Sequence, residues 1–302
     1  NNNKISNLLN LFHLKGKIDI HNFNVKNSTR NQINFLDFSF ANNDVSNGKF
    51  DGLIRFDGYV NLNATADSAN ANQVYKYLPL VISKDVRNWV KNAVISGNGS
   101  NVKFKMKGNI NNFPFRNIGN SETENNEIFY ISADVKNGEL HYANNWLPIK
   151  NIAANLEFFG IGMRIVSNSA NILKTQISNT SIEIPDFLTF DEQLLIKGNA
   201  NGETNEFLEF LKYGDLAKKI DNVIEKIKLK ATNNNATADL KLDLKLPLRN
   251  FNNVKILGEV NIKNNNLQLL PNFLPIMKNV SANLTFTENS VYSDNIVGEL
   301  LE

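Results

Sequence analysis

Two stretches of this chain alternate apolar and charged residues one for one. They are residues 102–108, with the sequence VKFKMKG, and residues 240–246, with the sequence LKLDLKL. Successive residues of a β-strand point to opposite faces, so each stretch predicts a strand with one apolar face and one charged face. A helix does not produce this alternation. What the apolar faces cover is therefore the question that decides the function.

The composition narrows the class of protein. The chain has 302 residues, of which 42% are apolar, and this is enough for a sizeable buried surface. Its net charge is +2 and its Lys and Arg residues are scattered, whereas nucleic-acid-binding proteins concentrate positive charge on one face. Cysteine is absent, which excludes disulfides, thiolate catalysis and cysteine zinc sites. The sequence has no run of ~18 apolar residues and so predicts no membrane-spanning helix.

The beginning of the chain predicts an antiparallel meander. Short period-two segments, such as INF at 33–35 and FSF at 38–40, are separated by turn residues. Asp57-Gly58 is a hairpin signal, because both residues tolerate the positive φ of tight turns. We attribute the many asparagines of the chain to genome base composition. Residues 1–58 are therefore predicted to form an N-terminal β-meander segment.

Two segments change to a helical period and predict two amphipathic helix pairs. Over residues 70–96 the apolar residues recur at i, i+3, i+4 and i+7, and we expect Ser96-Gly97 to end the second helix. Residues 203–228 show the same change, with Gly214 between the two helices. The polar face of the last helix mixes charge signs, which favours a helix that closes an end or side of the sheet over a membrane-surface helix.

Part of the chain is repeated. The sequence WLPI at 146–149 reappears as FLPI at 273–276, and NIAANLEF at 151–158 reappears as NVSANLTF at 279–286. The offset is 127 residues and becomes 128 after a one-residue insertion. We therefore predict a first repeat unit over residues 59–187 and a second over residues 188–302, each with strands, a helix pair and further strands. Repeats that extend along one axis usually present a continuous surface.

Several motifs resemble the YhdP branch of the AsmA-like proteins. They are YLPL at 77–80, VRNW at 86–89, KFKMKG at 103–108, FPF at 113–115 and LEFFGIGMRI at 156–165. The similarity extends in order over most of residues 50–300. It implies a long periplasmic β-groove, anchored in the inner membrane of a Gram-negative cell, that carries phospholipid towards the outer membrane. Since such proteins are much longer, we expect this sequence to be a fragment, with the two membranes contacted by parts of the chain outside it.

With this resemblance, the sequence predicts a mainly β fold: a long curved antiparallel sheet forming an open apolar groove, built from repeats of ~127 residues with two helix pairs. We expect phospholipid acyl chains as partners, no nucleic acid and no cofactor. Thirteen apolar residues of the alternating strands are predicted to line the groove: Val60, Leu62, Val102, Phe104, Met106, Ile131, Ala133, Val135, Leu240, Leu242, Leu244, Leu246 and Val260.

Three other interpretations stay open. The same side chains would fill the core of a β-sandwich if a second layer covered them. A scaffold that assists the assembly of outer-membrane or secreted β proteins would use an exposed sheet edge to pair with client strands. An enzyme is disfavoured, because the histidines His13, His21 and His141 are isolated and Gly97-Asn98-Gly99 precedes a strand instead of opening a helix. We predict no catalytic residue and no metal site.

Overall fold

The chain is mainly β and divides into two compact units. The computed structural model describes residues 11–25, 28–78, 84–116, 127–214, 230–231, 236–249, 253–268 and 274–300. Unit 1 consists of Asn1–Gly138, Ala154–Arg164 and Pro185–Leu188, and unit 2 of Glu139–Ala153, Ile165–Ile184 and Thr189–Glu302. Each unit is built from antiparallel strands, as the alternating pattern predicts.

Unit 1 contains an antiparallel meander in which β1 pairs with β2, β2 with β4, β4 with β5 and β5 with β6. The short strand β3 also pairs with β5. Residues Phe56, Asp57 and Gly58 form the turn between β4 and β5, and Gly58 has a φ of 92°. The six strands are β1 (His13–Val25), β2 (Ser28–Ala41), β3 (Val45–Ser46), β4 (Gly48–Arg55), β5 (Tyr59–Asn70) and β6 (Val94–Asn109).

Three strands follow whose residues are divided between the two units. They are β7 (Ile128–Leu140), β8 (Ile149–Phe159) and β9 (Gly162–Ile172). In unit 2, β10 pairs with β11, β11 with β13, β13 with β14, and β14 with β15. The strands of unit 2 are β10 (Thr175–Ile184), β11 (Gln193–Glu203), β12 (Lys230–Ala231), β13 (Thr237–Pro247), β14 (Lys255–Gln268), β15 (Met277–Thr287), β16 (Val291–Tyr292) and β17 (Ile296–Leu300).

The described helices lie where the sequence changes to a helical period. The first helix pair is a 3₁₀ helix, Ala71–Lys76, and α1, Lys84–Ala93, with Asp85 in the first turn of α1. In the second pair, α2 spans Thr204–Phe210, and the predicted helix that follows Gly214 lies outside the described residues. Helix α1 ends at Ala93 instead of at Ser96-Gly97. The chain continues directly into β6, which begins at Val94 and pairs with β5 from Asn98 to Asn109.

The strand β2 corrects one prediction from the sequence. The segments at 33–35 and 38–40 are not separate strands, since β2 runs through both. Asp37, with a φ of 52°, forms a bulge: Phe35 pairs with Gly52 and Phe38 with Phe50, so Leu36 and Asp37 of β2 oppose the single residue Asp51 of β4. A β-bulge shifts the alternation by one residue, and it leaves Phe35 and Phe38 on the same face.

The fully buried core of the described residues is small. Thirteen apolar residues are buried, and six of them are alanines. The most completely buried is Phe115, which has no exposed surface and whose ring lies 5.6 Å from that of Phe113. Phe129 contacts Phe113 and Phe104 at ring distances of 5.1 and 6.3 Å. These four rings form the main aromatic cluster of unit 1, and much of the remaining apolar surface is only partly covered.

Candidate functional site

Unit 1 has one continuous apolar face, carried by β2, β4, β5 and β6 and called here the unit 1 face. Residues paired directly across antiparallel strands point to the same side of a sheet. The register places Phe38, Phe50, Ala64 and Phe104 in one row across the four strands. A neighbouring row contains Phe35, Gly52, Leu62 and Met106. Neither row contains a charged or polar side chain.

Unit 2 has a corresponding apolar face on β11, β13, β14 and β15, called here the unit 2 face. One row across these strands contains Ala200, Leu240, Val260 and Leu284. The next contains Gly198, Leu242, Gly258 and Phe286, and a third contains Ile196, Leu244 and Ile256. These rows contain no charged side chain either.

The predicted groove residues divide between these two faces. The register places Val60, Leu62, Val102, Phe104 and Met106 on the unit 1 face. It places Leu240, Leu242, Leu244, Leu246 and Val260 on the unit 2 face. Ile131, Ala133 and Val135 lie on β7 and belong to unit 1. They alternate in step with Phe129, whose ring contacts Phe104, so they extend the unit 1 face.

The exposure of these thirteen residues is intermediate. Only Val60 is buried, with 6% of its surface exposed, and the other twelve are half-buried. Side chains sealed between two layers of a β-sandwich are largely removed from water. The apolar faces are therefore in contact with their neighbours within the sheet while part of each side chain stays accessible.

The opposite faces of the same strands are charged and hydrated. In β6, Lys103 and Lys105 are exposed on either side of the half-buried Phe104. In unit 2, Lys197 pairs with Asp243 at 3.1 Å and Lys263 with Asp239 at 3.6 Å. Exposed pairs of this kind contribute little to stability. Their effect is to keep one side of the strands in water.

An amide cluster on the polar side of unit 1 holds one carboxylate in its ionised form. Asn101 and Asn155 donate hydrogen bonds to the two oxygens of Asp134, at 2.7 and 3.0 Å. These two bonds lower the pKa of Asp134 below its usual value. Because the carboxylate is satisfied by neutral amides, the cluster joins neighbouring strands and leaves Asp134 ionised at neutral pH.

Helix α2 covers one end of the unit 2 face. Phe207 of α2 packs against a buried cluster of small and aliphatic residues from β13, β14 and β15. This cluster consists of Ala238, Ile262, Val280 and Ala282. The rows that contain Leu240, Leu242 and Leu244 lie beyond the cluster and stay half-buried. The helix thus covers an end of the face, whereas the last helix, which we expected to close an end or side of the sheet, lies outside the described residues.

Aromatic residues hold the end of α2 in place. The Trp146 ring lies 5.7 Å from that of Phe210 and 5.9 Å from that of Tyr142. Gly214, with a φ of 66°, donates a backbone hydrogen bond of 2.8 Å to the carbonyl of Asn145, and the Trp146 ring occupies the space of a Cβ at Gly214. Burial raises the pKa of Tyr142 to about 12. The WLPI segment, which recurs in the repeat as FLPI, therefore has a local packing role.

The histidines have ordinary surface partners. His13 lies 2.9 Å from the Ser39 hydroxyl, His21 is 3.4 Å from Asp19 and His141 is 3.0 Å from Glu139. Over the described ranges, no group of three or more histidine or acidic side chains could hold a metal ion. None of the helices in the described part of the chain is long and apolar enough to cross a bilayer.

Sequence reasoning missed several residues of the two faces. Phe35, Phe38 and Phe50 meet on the unit 1 face, with ring distances of 5.0 to 5.9 Å. The apolar residues of β2 alternate with polar ones and indicate an apolar face. The bulge at Asp37 interrupts this alternation, so the pattern does not show that Phe35 and Phe38 share a face. On the unit 2 face, Ile196 and Phe286 were missed because their strands alternate less regularly with charged residues.

Comparison with known proteins gives one match. No curated protein matches the chain, and no solved structure matches it. The family model described as YhdP protein matches residues 9–302, which is nearly the whole sequence. The match confirms the resemblance found in the motifs, and this chain belongs to the YhdP family.

Proposed function

We propose that this chain is a segment of a hydrophobic conduit for phospholipid transfer between the inner and outer membranes of a Gram-negative bacterium. Acyl chains lie on the unit 1 face and the unit 2 face, and the head groups stay in solvent. The observation that carries the proposal is the partial exposure of twelve of the thirteen predicted lining residues. Membership of the YhdP family supports it.

The free energy of hydration explains why such a surface is needed. Moving an acyl chain out of a bilayer exposes methylenes to water at a cost of ~0.8 kcal/mol each. Contact with Leu240, Leu242 and Leu244 removes part of that surface from water. Apolar contact is non-directional, so a chain slides between neighbouring positions of nearly equal energy. A set of specific hydrogen bonds would hold the lipid in one place.

The distribution of charge fits this role. The rows of the two faces contain no ionised group that an acyl chain would have to desolvate. The exposed lysines lie on the opposite side of the strands, where they keep the sheet in contact with water. We place the protein in the periplasm, as part of an inner-membrane-anchored chain, with the two membranes as partners through parts of the protein outside this sequence. The proposal requires no cofactor.

The test is the lipid content of the purified chain. The chain is incubated with vesicles of phosphatidylethanolamine and phosphatidylglycerol, separated from them, and analysed by native mass spectrometry. We expect bound phospholipid in the unmodified chain. Leu244→Glu places a carboxylate among the acyl chains of the unit 2 face, and we expect it to lower the total bound lipid to about half, because the unit 1 face still binds. Asn199→Glu is the matched control, because Asn199 is exposed on the polar side opposite Lys241.

Two results would count against the conduit. One is an unmodified chain that carries no phospholipid after incubation, and the other is an L244E variant that binds as much as the N199E control.

The assembly scaffold makes a different prediction. Strand β1 exposes Leu14, Ile18 and Ile20 by 58 to 66%, and an exposed apolar strand is a template for pairing with another chain. Cross-links from β1 to a client β protein, with no lipid bound, would favour the scaffold.

A further inference from the structure

We infer that two glycines, Gly48 on the unit 1 face and Gly258 on the unit 2 face, are positioning residues that let phenylalanine rings lie flat on the sheet and so keep these faces open to acyl chains. The inference rests on the proposed function and adds to it a means by which the depth of the lipid-binding surface is set.

Each glycine is the direct antiparallel partner of a phenylalanine. Gly48 of β4 pairs with Phe40 of β2, and Gly258 of β14 pairs with Phe286 of β15. A Cβ built on either glycine would lie within 2.7 Å of three atoms of the partner's ring. Real side chains do not approach so closely, so the space of the missing side chain is occupied by the ring.

The ring atoms involved show the orientation of the ring. At both glycines they are Cζ, Cε1 and Cε2, the atoms farthest from the phenylalanine backbone. Side chains paired across strands have Cβ atoms about 4.5 to 5.5 Å apart. A ring standing perpendicular to the sheet would keep its far end away from the partner strand. Each ring therefore leans across the neighbouring strand and lies along the surface.

The unit 2 row shows the consequence for a ligand. In this row Gly198, Leu242, Gly258 and Phe286 are paired in order across four strands. Two of the four positions have no side chain, and the Phe286 ring covers the gap at Gly258 close to the backbone. The row thus forms a low apolar floor beside Leu240 and Leu244, which are predicted to contact acyl chains.

A methyl group at Gly258 would remove this arrangement. The ring of Phe286 would have to rotate to another rotamer and project away from the sheet, because the added Cβ occupies its place. The raised ring would stand in the space of the acyl chain. Since the φ of Gly258 lies outside the left-handed region, alanine is compatible with the backbone there.

The test is a cycle of three variants, Gly258→Ala, Phe286→Ala and the double variant, each loaded from the vesicles used above. We expect G258A to bind phospholipid about fivefold more weakly at the unit 2 face, which corresponds to roughly 1 kcal/mol. F286A removes a ring from the unit 2 face and is the reference for the double variant, which should bind as much as F286A. The double variant should recover binding, because its new methyl group no longer displaces a ring.

The double variant distinguishes a positioning role of Gly258 from a role in stability alone. A ring packed over a cross-strand glycine also stabilises a sheet. If stability were the only role, the double variant, which has lost the ring contact, would bind no better than G258A, and this result would overturn the inference. Unchanged lipid binding in G258A would overturn it as well. A chain that binds no lipid in any form contradicts the proposed function instead.

The pair in unit 1 provides an independent cycle. Gly48→Ala, Phe40→Ala and their double variant should reproduce the loss and the recovery. If G258A does not fold, this second cycle decides the inference, with thermal unfolding recorded for every variant.

Discussion

At the scale of single residues, asparagine has a role that composition alone does not reveal. In the described part of the chain, seven Asn or Asp residues inside strands have a φ between 49° and 53°. They are Asp37, Asn101, Asn137, Asn151, Asn179, Asn264 and Asn279. Asn and Asp adopt this left-handed conformation more readily than other residues with a side chain. Part of the asparagine excess is therefore structural and does not reflect base composition alone.

At several of these residues the register shows a bulge, which shifts the alternation by one residue. Across Asn264, Ile262 pairs with Ala282 and Asn265 with Val280, so Lys263 and Asn264 of β14 oppose the single residue Ser281 of β15. Asn179 marks the same kind of shift between β10 and β11. A period-two reading fails at each of these positions, and that is why the sequence did not place Phe35 and Phe38 on one face.

We predict that Asn279 tolerates glycine and rejects valine. Its φ is 52°, which glycine adopts freely and a β-branched residue does not. Asn279→Val should lower the free energy of unfolding by about 1 to 2 kcal/mol, and Asn279→Gly should change it by less than about 0.5 kcal/mol. Urea denaturation followed by circular dichroism measures both. Lys278→Val, one residue earlier on the exposed side, is the control and should cost little; equal losses at 278 and 279 would refute the assignment.

The ionisation of Glu288 makes the stability of unit 2 depend on pH. Its carboxylate accepts hydrogen bonds from Lys255 at 2.9 Å and from the Ile256 backbone at 3.2 Å. The Lys255 bond is the main cause that lowers the pKa of Glu288 from 4.5 to about 2. A lowered pKa in the folded state means that the stabilisation is present above pH 4.5 and is lost as the pH falls towards 2.

We therefore expect Glu288→Gln to flatten the acid limb of the stability curve. The unmodified chain should lose more stability than E288Q between pH 4.5 and 2, measured by urea denaturation at several pH values. Lys255→Met should have a similar effect, because it removes the cation. High salt should reduce the difference, since both groups are exposed. Parallel curves for E288Q and the unmodified chain would contradict the assignment.

At the scale of elements, helices with similar sequence patterns differ in what they cover. In α2, Phe207 is half-buried against four buried residues of unit 2. In α1, Val86 and Trp89 are 49% and 51% exposed, and Ala93 is the buried residue. An apolar stripe predicts a helix but not the extent of its contact, because the contact depends on the elements that the fold places beside it.

Truncating an aromatic residue in each helix tests this difference. Phe207→Ala should lower the free energy of unfolding by about 2 to 3 kcal/mol, because it leaves a cavity over the buried cluster. Trp89→Ala should cost less than about 1 kcal/mol, because half of the side chain is already in water. Thermal or urea unfolding gives both values. A larger loss in W89A than in F207A would show that α1 is the more tightly packed helix.

The positive φ values of these asparagines also bear on the predicted repeat. Asn137 and Asn264, which are 127 residues apart, both have a φ of 53°. Asn151 and Asn279, which are 128 apart, have a φ of 53° and 52°. Equivalent positions of the two copied sequences thus adopt the same rare backbone conformation. This agreement supports the repeat, which stays a prediction.

At the scale of the whole molecule, each unit presents its own half-buried apolar face. If both faces bind acyl chains, the two contributions to binding are separate. Phe104→Glu and Leu244→Glu should each remove part of the bound phospholipid, and the double variant should bind less than either. Native mass spectrometry counts the lipids. Thr65→Glu, exposed and opposite Lys103, is the control for unit 1. Complete loss in one single variant would contradict separate binding.

The sequence by itself determined that the chain is mainly β, which side of the regularly alternating strands is apolar, and the family. Alternation is a local property, so residues such as Leu242 and Phe104 were assigned to the correct face without coordinates. Only the tertiary structure decided how far these side chains are covered, which aromatic rings meet, and where a ring lies over a glycine. Those properties depend on register between strands that are distant in sequence, and one bulge such as that at Asp37 changes the register for every residue beyond it.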